Sequence, residues 1–159
     1  MSTSQATDLH ALQQRFDVLA TERELYNLVQ DYAGYHDLCF GKGAGPDDDA
    51  KWESLLTPDA VSDLHPLGIH HGRDGKMAWA QKSMGGRGQG CQLMISNVRI
   101  TLDTTDPTSA IGRAYVLLEV VPEDASKTFT TKGRYIWKFH KFDGVWKVAS
   151  VKLSPFPEL

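Results

Sequence analysis

The stretch "KGRYIWKFHKFDGVWKVASVKLSP", Lys132–Pro155, contains two β-branched and aromatic runs on either side of Asp143-Gly144. Runs of this composition favour strands, and an Asp-Gly pair between two of them signals a two-residue hairpin turn. The stretch therefore predicts a β-hairpin that ends an antiparallel sheet.

Two runs of the same character precede it, "CQLMISNVRITLD" at 91–103 and "SAIGRAYVLLEVV" at 109–121, so four antiparallel strands are expected. Before them the pattern is helical from Asp8 to about Asp37, with its first apolar positions at Leu9, Leu12, Phe16 and Leu19. Thr21 and Glu24 form a T-x-x-E capping box, which predicts that a second helix starts there.

The middle of the chain alternates between short elements. "AKWESLL" predicts a short helix, "AVSDLHPLGIHHG" an extended segment, and "GRDGKMAWAQKSM" another helix. Helices first and a curled antiparallel sheet afterwards indicate one α+β domain over 1–159, in which the helices cover one face of the sheet and leave a cone-shaped pocket between them. Residues 1–6 are expected to be disordered, and the glycine-rich "GGRGQG" at 85–90 to be a flexible connection that gates the pocket.

The composition limits the partners. The chain has 159 residues, 41% hydrophobic and 23% charged, with 17 Lys+Arg against 20 Asp+Glu and a formal net charge of −3. This balance lacks the basic surface that nucleic-acid binding requires. No apolar run approaches the roughly 20 residues of a membrane span, and no secretory signal is recognisable, so a cytoplasmic protein is expected. Cys39 and Cys91 have no metal-ligand spacing, which predicts free thiols and no metal site.

His36 lies in the apolar stripe of the helix, at helical spacing from Leu25, Val29 and Tyr32. Its side chain should therefore point into the protein. Two interpretations are open: a core histidine satisfied by a carbonyl or water, which the pattern alone favours, and a functional imidazole.

On the strand "IGRAYVLLEVV", Arg113, Tyr115 and Glu119 share the less apolar face. They are expected on the outer face of the sheet. A single bulge near Pro122 would reverse the register and bring Tyr115 and Glu119 into the pocket.

With "YAGYHD", "LLTPDA" and "NVRITLD", the hairpin stretch resembles the SnoaL-like and scytalone dehydratase-like branch of the nuclear transport factor 2-like superfamily, from about Leu25 onward. The resemblance implies a cone-shaped barrel with a deep apolar pocket and catalysis without a cofactor. It also implies a homodimer or higher homo-oligomer, formed through the outer sheet.

The resemblance further suggests roles for individual residues. His36 takes the place of the family's pocket tyrosine, and Asp37 takes the place of the family's aspartate. A carboxylate beside an imidazole raises the basicity of the imidazole, as a general base requires. For Asp37 the alternative is a cap or salt bridge at the helix end. Tyr135 would donate a hydrogen bond or a proton, unless it and Trp137 are ordinary core packing. His65 is the second candidate acid or base, with an exposed loop histidine as the alternative.

The residues expected to line the pocket and bind the substrate are Tyr32, Tyr35, Trp52, Leu93, Ile95, Trp137 and Phe156. Phe156 either folds over the cavity or frays with the C-terminus.

Departures from the family pattern restrict the reaction. Leu93 stands where the dehydratases carry a pocket histidine, and Val120 and Val121 supply no second one. Tyr135 and Gly133 replace an asparagine and a serine. The sequence therefore favours a cyclase or isomerase acting on a hydrophobic, oxygenated or polycyclic molecule in natural-product biosynthesis. A dehydratase is the alternative enzyme, and a non-catalytic binding or dimerisation module is the alternative outside enzymes.

Overall fold

The computed structural model describes residues 3–156, apart from the side chains of residues 3–7 and of Ala125. The N-terminal half comprises α1 (Thr3–Phe40), α2 (Pro46–Glu53), β1 (Leu56–Asp63), β2 (Ile69–His71) and α3 (Lys76–Ser83). The C-terminal half comprises β3 (Gly88–Leu102), β4 (Ser109–Pro122), a 3-10 turn (Ala125–Lys127), β5 (Phe129–Phe142) and β6 (Val145–Pro155). The predicted α+β class and the four long strands are confirmed.

The six strands form one curved sheet in the order β2-β1-β6-β5-β4-β3. The pairing of β1 with β6 is parallel, and the other four pairings are antiparallel. The sheet stays open at β2 and β3 instead of closing into a barrel. The predicted hairpin turn is confirmed: Asp143 (φ 50°) and Gly144 (φ 79°) both have the left-handed backbone that a two-residue turn of type I′ requires.

The strand faces follow the predicted alternation. On β4, Ala114 and Val116 are buried and Arg113, Tyr115 and Glu119 are exposed. No register reversal occurs, so Tyr115 and Glu119 stay on the outer face.

The prediction of two consecutive N-terminal helices is wrong, because α1 is a single helix of 38 residues. Thr21 and Glu24 lie inside it. This segment contains no proline, so its helical backbone hydrogen bonds continue without interruption. A capping-box pattern alone therefore does not end a helix. Of the six residues expected to be disordered, Met1 and Ser2 lie outside the described residues, and the backbone of residues 3–6 belongs to α1.

The glycine-rich segment is not a free gate. Gly88 to Gly90 belong to β3, where Gly88 pairs with Pro122. Arg87 forms an ion pair with Asp49 and donates to the carbonyl of Cys39, 3.4 Å away. These contacts tie the segment to α1 and α2.

The C-terminal half of α1 packs across the sheet, and a cluster of aromatic side chains lies between them. Tyr32, Trp52 and Tyr135 are almost completely buried, as are Trp137 and Phe139. An open groove of about 930 Å³ lies elsewhere, along β3, β4 and β5, where it is lined by outward-facing residues such as Arg113, Tyr115 and Arg134. Within the described residues, no helix combines the length and the apolar character that crossing a membrane requires.

Candidate functional site

Ionisable side chains meet where the end of α1 crosses β3. His36 is 6% exposed, so its position on the apolar stripe does turn it into the protein. Its Nδ1 lies 3.4 Å from Cys91 Sγ and 4.0 Å from Asp37 Oδ1. The thiol is therefore the hydrogen-bonding neighbour of the imidazole, and the carboxylate lies just beyond direct hydrogen-bonding distance.

Asp37 links the helix to the strand. Its Oδ1 accepts a hydrogen bond from the backbone N–H of Leu93 at 2.7 Å. Burial raises the pKa of its carboxyl, although the hydrogen bonds from Leu93 and from the Cys91 thiol act in the opposite direction. Burial, together with the charge of Asp37, raises the pKa of the Cys91 thiol as well, which keeps the thiol protonated at neutral pH.

The electrostatic environment of His36 differs from the expectation. Burial, assisted by the positive charge of Lys76, lowers the pKa of His36 to about 3. The expected increase in basicity is therefore wrong, because desolvation and the charge of Lys76 outweigh the attraction of Asp37. His36 is neutral at physiological pH, packed against Phe40 and Trp52 with ring centroids at 4.8 and 6.1 Å. Within residues 3–156, no hydrogen bond to its Nε2 is found.

Lys76, at the first turn of α3, was missed by the sequence analysis. It is 1% exposed, and its Nζ lies 4.6 Å from the ring centroid of Trp79 and 5.2 Å from that of Trp52. Burial lowers the pKa of Lys76 to about 7, with Glu53 opposing the shift. In the described part of the chain it has no ion pair. The available signal was its helical spacing from Ala80 and Met84, which places a lysine on an apolar stripe.

Tyr135 faces the interior, as required for its predicted role. It is 3% exposed and makes edge-to-face contacts with Tyr32 and Trp137, at centroid distances of 6.4 and 5.2 Å. Burial raises the pKa of Tyr135, so its phenol remains a hydrogen-bond donor. Trp52 is fixed in the same cluster by its Nε1–H, which donates to the backbone carbonyl of Tyr32 at 3.0 Å.

Other predicted site residues lie at different depths. Leu93 is buried, and Ile95 and Tyr35 are half-buried, with Lys51 placed over the Tyr35 ring. His65 is exposed in the turn between β1 and β2, and no described contact joins it to His36, so the structure does not assemble it with the cluster.

Phe156 does not fold over the interior. Its ring packs on Tyr115 at 6.0 Å and under Arg134 at 5.3 Å, on the outer face of the sheet. The extended end of β6 carries it there, since Gly133 of β5 pairs with Pro155 and directs the following residue outward. Residues 157–159 of the expected C-terminal segment lie outside the described residues.

His36, Asp37 and Cys91 are the described residues whose donor atoms could meet at a metal ion, since these atoms all lie within 4.8 Å of one another. A metal would have to displace the thiol proton, because only a thiolate ligates well. It would also compete with the Leu93 N–H for the Asp37 carboxylate. As arranged, the cluster places a neutral imidazole and a protonated thiol beside the Asp37 carboxyl.

Comparisons with known proteins identify the family of this chain. The family model for the SnoaL-like domain matches residues 17–152. A search of curated proteins found no significant match.

Solved structures share the fold. A Novosphingobium aromaticivorans DSM 12444 protein with the provisional name scytalone dehydratase is 22% identical, with a TM-score of 0.71 over 87% of this chain and 86% of its own. An NTF2-like protein with a cystatin-like fold, also from Novosphingobium aromaticivorans, is 15% identical, with a TM-score of 0.74 over 95% of this chain and 92% of its own. An NTF2-like superfamily protein from Salmonella enterica serovar Typhimurium is 16% identical, with a TM-score of 0.71 over 89% and 94%.

At these identities the structural similarity shows the fold and leaves the reaction open. The family model covers most of the chain, and the fold agrees with it. The chain therefore belongs to the SnoaL-like domain family, and solved structures of NTF2-like proteins share its fold.

Proposed function

We propose that the protein is a cofactor-independent acid–base enzyme that isomerises or cyclises a hydrophobic, oxygenated small molecule. One observation carries the proposal: His36, Lys76 and Tyr135 are buried in an otherwise apolar interior, and the half-buried Asp37 and Cys91 lie beside His36. Burying so many ionisable groups costs folding free energy, and functional sites are where such a cost is commonly found.

The pKa values suggest which residue transfers the proton and which one positions the substrate. A group that exchanges protons at neutral pH is most effective when its pKa lies near that pH. Lys76, with a pKa lowered to about 7, meets this condition, whereas His36 at about 3 does not. In the proposed mechanism the neutral Lys76 amine takes the proton released by the substrate, and His36 positions the substrate through its Nε2.

The remaining groups would stabilise the charge that develops. Removal of a proton next to a carbonyl leaves an enolate oxygen, which needs a hydrogen-bond donor in a water-poor site. The Tyr135 phenol, protonated because burial raises its pKa, can supply that donor. The surrounding aromatic rings favour a substrate with a large apolar part, such as the polycyclic intermediates of natural-product biosynthesis.

Dehydration fits the interior less well. The position of Leu93 offers a buried aliphatic side chain and a backbone N–H already bound to Asp37. Val120 on the adjacent strand is also buried and apolar. The alternative of a non-catalytic binding module uses the same interior but requires no proton transfer.

The test uses a metabolite extract from the host organism after deletion of the gene. Purified protein is added, and products are followed by mass spectrometry. We expect one metabolite to be replaced by an isomer of equal mass, and His36→Ala or Lys76→Met to slow this conversion by about 100-fold or more. His71→Ala, an exposed histidine on β2, is the matched control and should keep full activity.

Circular dichroism must show that each variant is folded. A product lighter by one water would replace the isomerase with the dehydratase. No conversion by the wild-type protein would contradict the enzymatic proposal and favour the binding module.

A further inference from the structure

The N-terminal half of α1 extends beyond the rest of the domain. Every described side chain from Asp8 to Ala20 is exposed, and the first buried side chain of the helix is Leu25. Large apolar residues are nevertheless concentrated here. Leu9 is 58% exposed, and Leu12, Phe16 and Leu19 are 63–64% exposed.

These residues form one stripe with the spacing of a coiled coil. Leu9, Phe16 and Arg23 occupy heptad positions a, and Leu12, Leu19 and Tyr26 occupy positions d. We call this set the outer stripe. The core-facing residues of α1, such as Leu25 and Tyr32 at positions c, lie on the other side of the helix by the same periodicity. The outer stripe therefore cannot be covered by the sheet of its own chain.

We propose that the outer stripe pairs with the outer stripe of a second copy of this chain, in an antiparallel two-helix coiled coil. Phe16 of each copy packs against Leu19 of the other, next to the two-fold axis. Leu9 then meets Tyr26, and Leu12 meets Arg23. The surface is distinct from the outer face of the sheet, and the proposal goes beyond the proposed function.

Charges flanking the stripe select this register. Positions g are Asp8, Arg15 and Glu22. In the proposed register Arg15 of each copy faces Glu22 of the other, which gives two attractive pairs by symmetry. A shift of one heptad in one direction brings Arg15 against Arg15, and in the other direction Glu22 against Glu22. A parallel pair would place Arg23 against Arg23 in the seam.

Tyr26 and Arg23 are suited to the ends of such an interface. Tyr26 is 40% exposed, and the Arg23 guanidinium lies 5.5 Å from its ring centroid. The stem of Arg23 can cover Leu12 of the other copy while its charge remains at the rim.

The length of the stripe is sufficient for a stable contact. Residues 9–26 extend over about 26 Å at 1.5 Å per residue. Together the two helices would bury on the order of 1,000 Å², the lower limit for a specific interface. Because the two helices run in opposite directions, the domains of the two copies lie at opposite ends of the paired segment and do not collide.

The first test is the molar mass in solution, measured by size-exclusion chromatography with light scattering. The wild-type chain should be a dimer. Phe16→Glu combined with Leu19→Glu should give a folded monomer, because two charges per copy enter the seam. Val18→Glu is the matched control: Val18 is 48% exposed on the other side of the same helix, and its replacement should leave the dimer intact.

A charge exchange tests the register. Arg15→Glu alone and Glu22→Arg alone each create two like-charge contacts and should weaken the dimer at low salt. When the two variants are mixed, one copy of each restores both attractive pairs, so a heterodimer should form. A wild-type monomer, or a dimer that the double variant leaves unchanged, would overturn the proposal; the latter would point to the sheet face. A mixture that does not form heterodimers would overturn the antiparallel register.

Discussion

The buried amine of Lys76 should make the stability of the folded protein increase with pH. Its ordinary pKa of 10.5 applies in the unfolded chain, and burial lowers it to about 7 in the folded protein. Between these values the unfolded chain binds a proton that the folded protein does not, so the free energy of unfolding rises with pH. At about 1.4 kcal/mol per pKa unit, the increase from about pH 7 to about pH 9 is about 2 kcal/mol.

Lys76→Met removes the amine while keeping an unbranched apolar stem. The variant should be more stable than the wild type near pH 7 and should lack the increase of about 2 kcal/mol between pH 7 and pH 9. His36 is neutral over this range, so it adds no slope. Urea unfolding at a series of pH values gives the free energies.

Lys82→Met is the matched control. Lys82 is exposed near the end of the same helix, so this variant should keep the wild-type pH dependence. Raised pKa values of tyrosines and thiols affect all three proteins equally and cancel in the comparison. Parallel pH profiles for the wild type and Lys76→Met would refute the reasoning, since Lys76 would then have an ordinary pKa.

Two further predictions concern packing and the thiols. Gly112→Ala should destabilise the protein by about 1–3 kcal/mol in urea unfolding, because overpacking a core is costly. The Cβ added at Gly112 would lie 2.7 Å from Cε2 of Phe139. Gly34→Ala is the control, because no atom lies within 4 Å of its added Cβ, and it should be neutral or stabilising. Equal effects of the two substitutions on stability would contradict the packing argument. Burial raises the pKa of Cys39 to about 12 and also raises the pKa of Cys91, so both thiols should react with Ellman's reagent far more slowly at pH 8 than in the unfolded chain. Native and unfolded rates that agree would be inconsistent with protonated, buried thiols.

The strand half of the fold was predictable because its signals are local. Alternation on β4 placed Arg113 and Tyr115 on the outer face, and the Asp143-Gly144 pair fixed the last hairpin. The division of α1 at Thr21 was wrong for the opposite reason. A capping-box pattern also fits a helix interior, and only the tertiary structure decides between the two.

The candidate site was partly predictable. Helical spacing alone was enough to bury His36, but its electrostatics depend on groups that are remote in sequence. Cys91 comes from β3 and Lys76 from α3, and neither has a motif that connects it to the end of α1. The lowered pKa of His36 follows from its burial and from Lys76, which a reading of the neighbouring Asp37 cannot anticipate.

Deuterium incorporation from the solvent tests the proposed proton transfer most directly. Purified protein is incubated in D₂O with the metabolite extract from the host lacking the gene, and new products are analysed by mass spectrometry. The account predicts an isomer carrying a carbon-bound deuterium with the wild-type protein and almost none with folded Lys76→Met, which lacks the proposed base. An isomer without deuterium, or one formed equally by the variant, would contradict it.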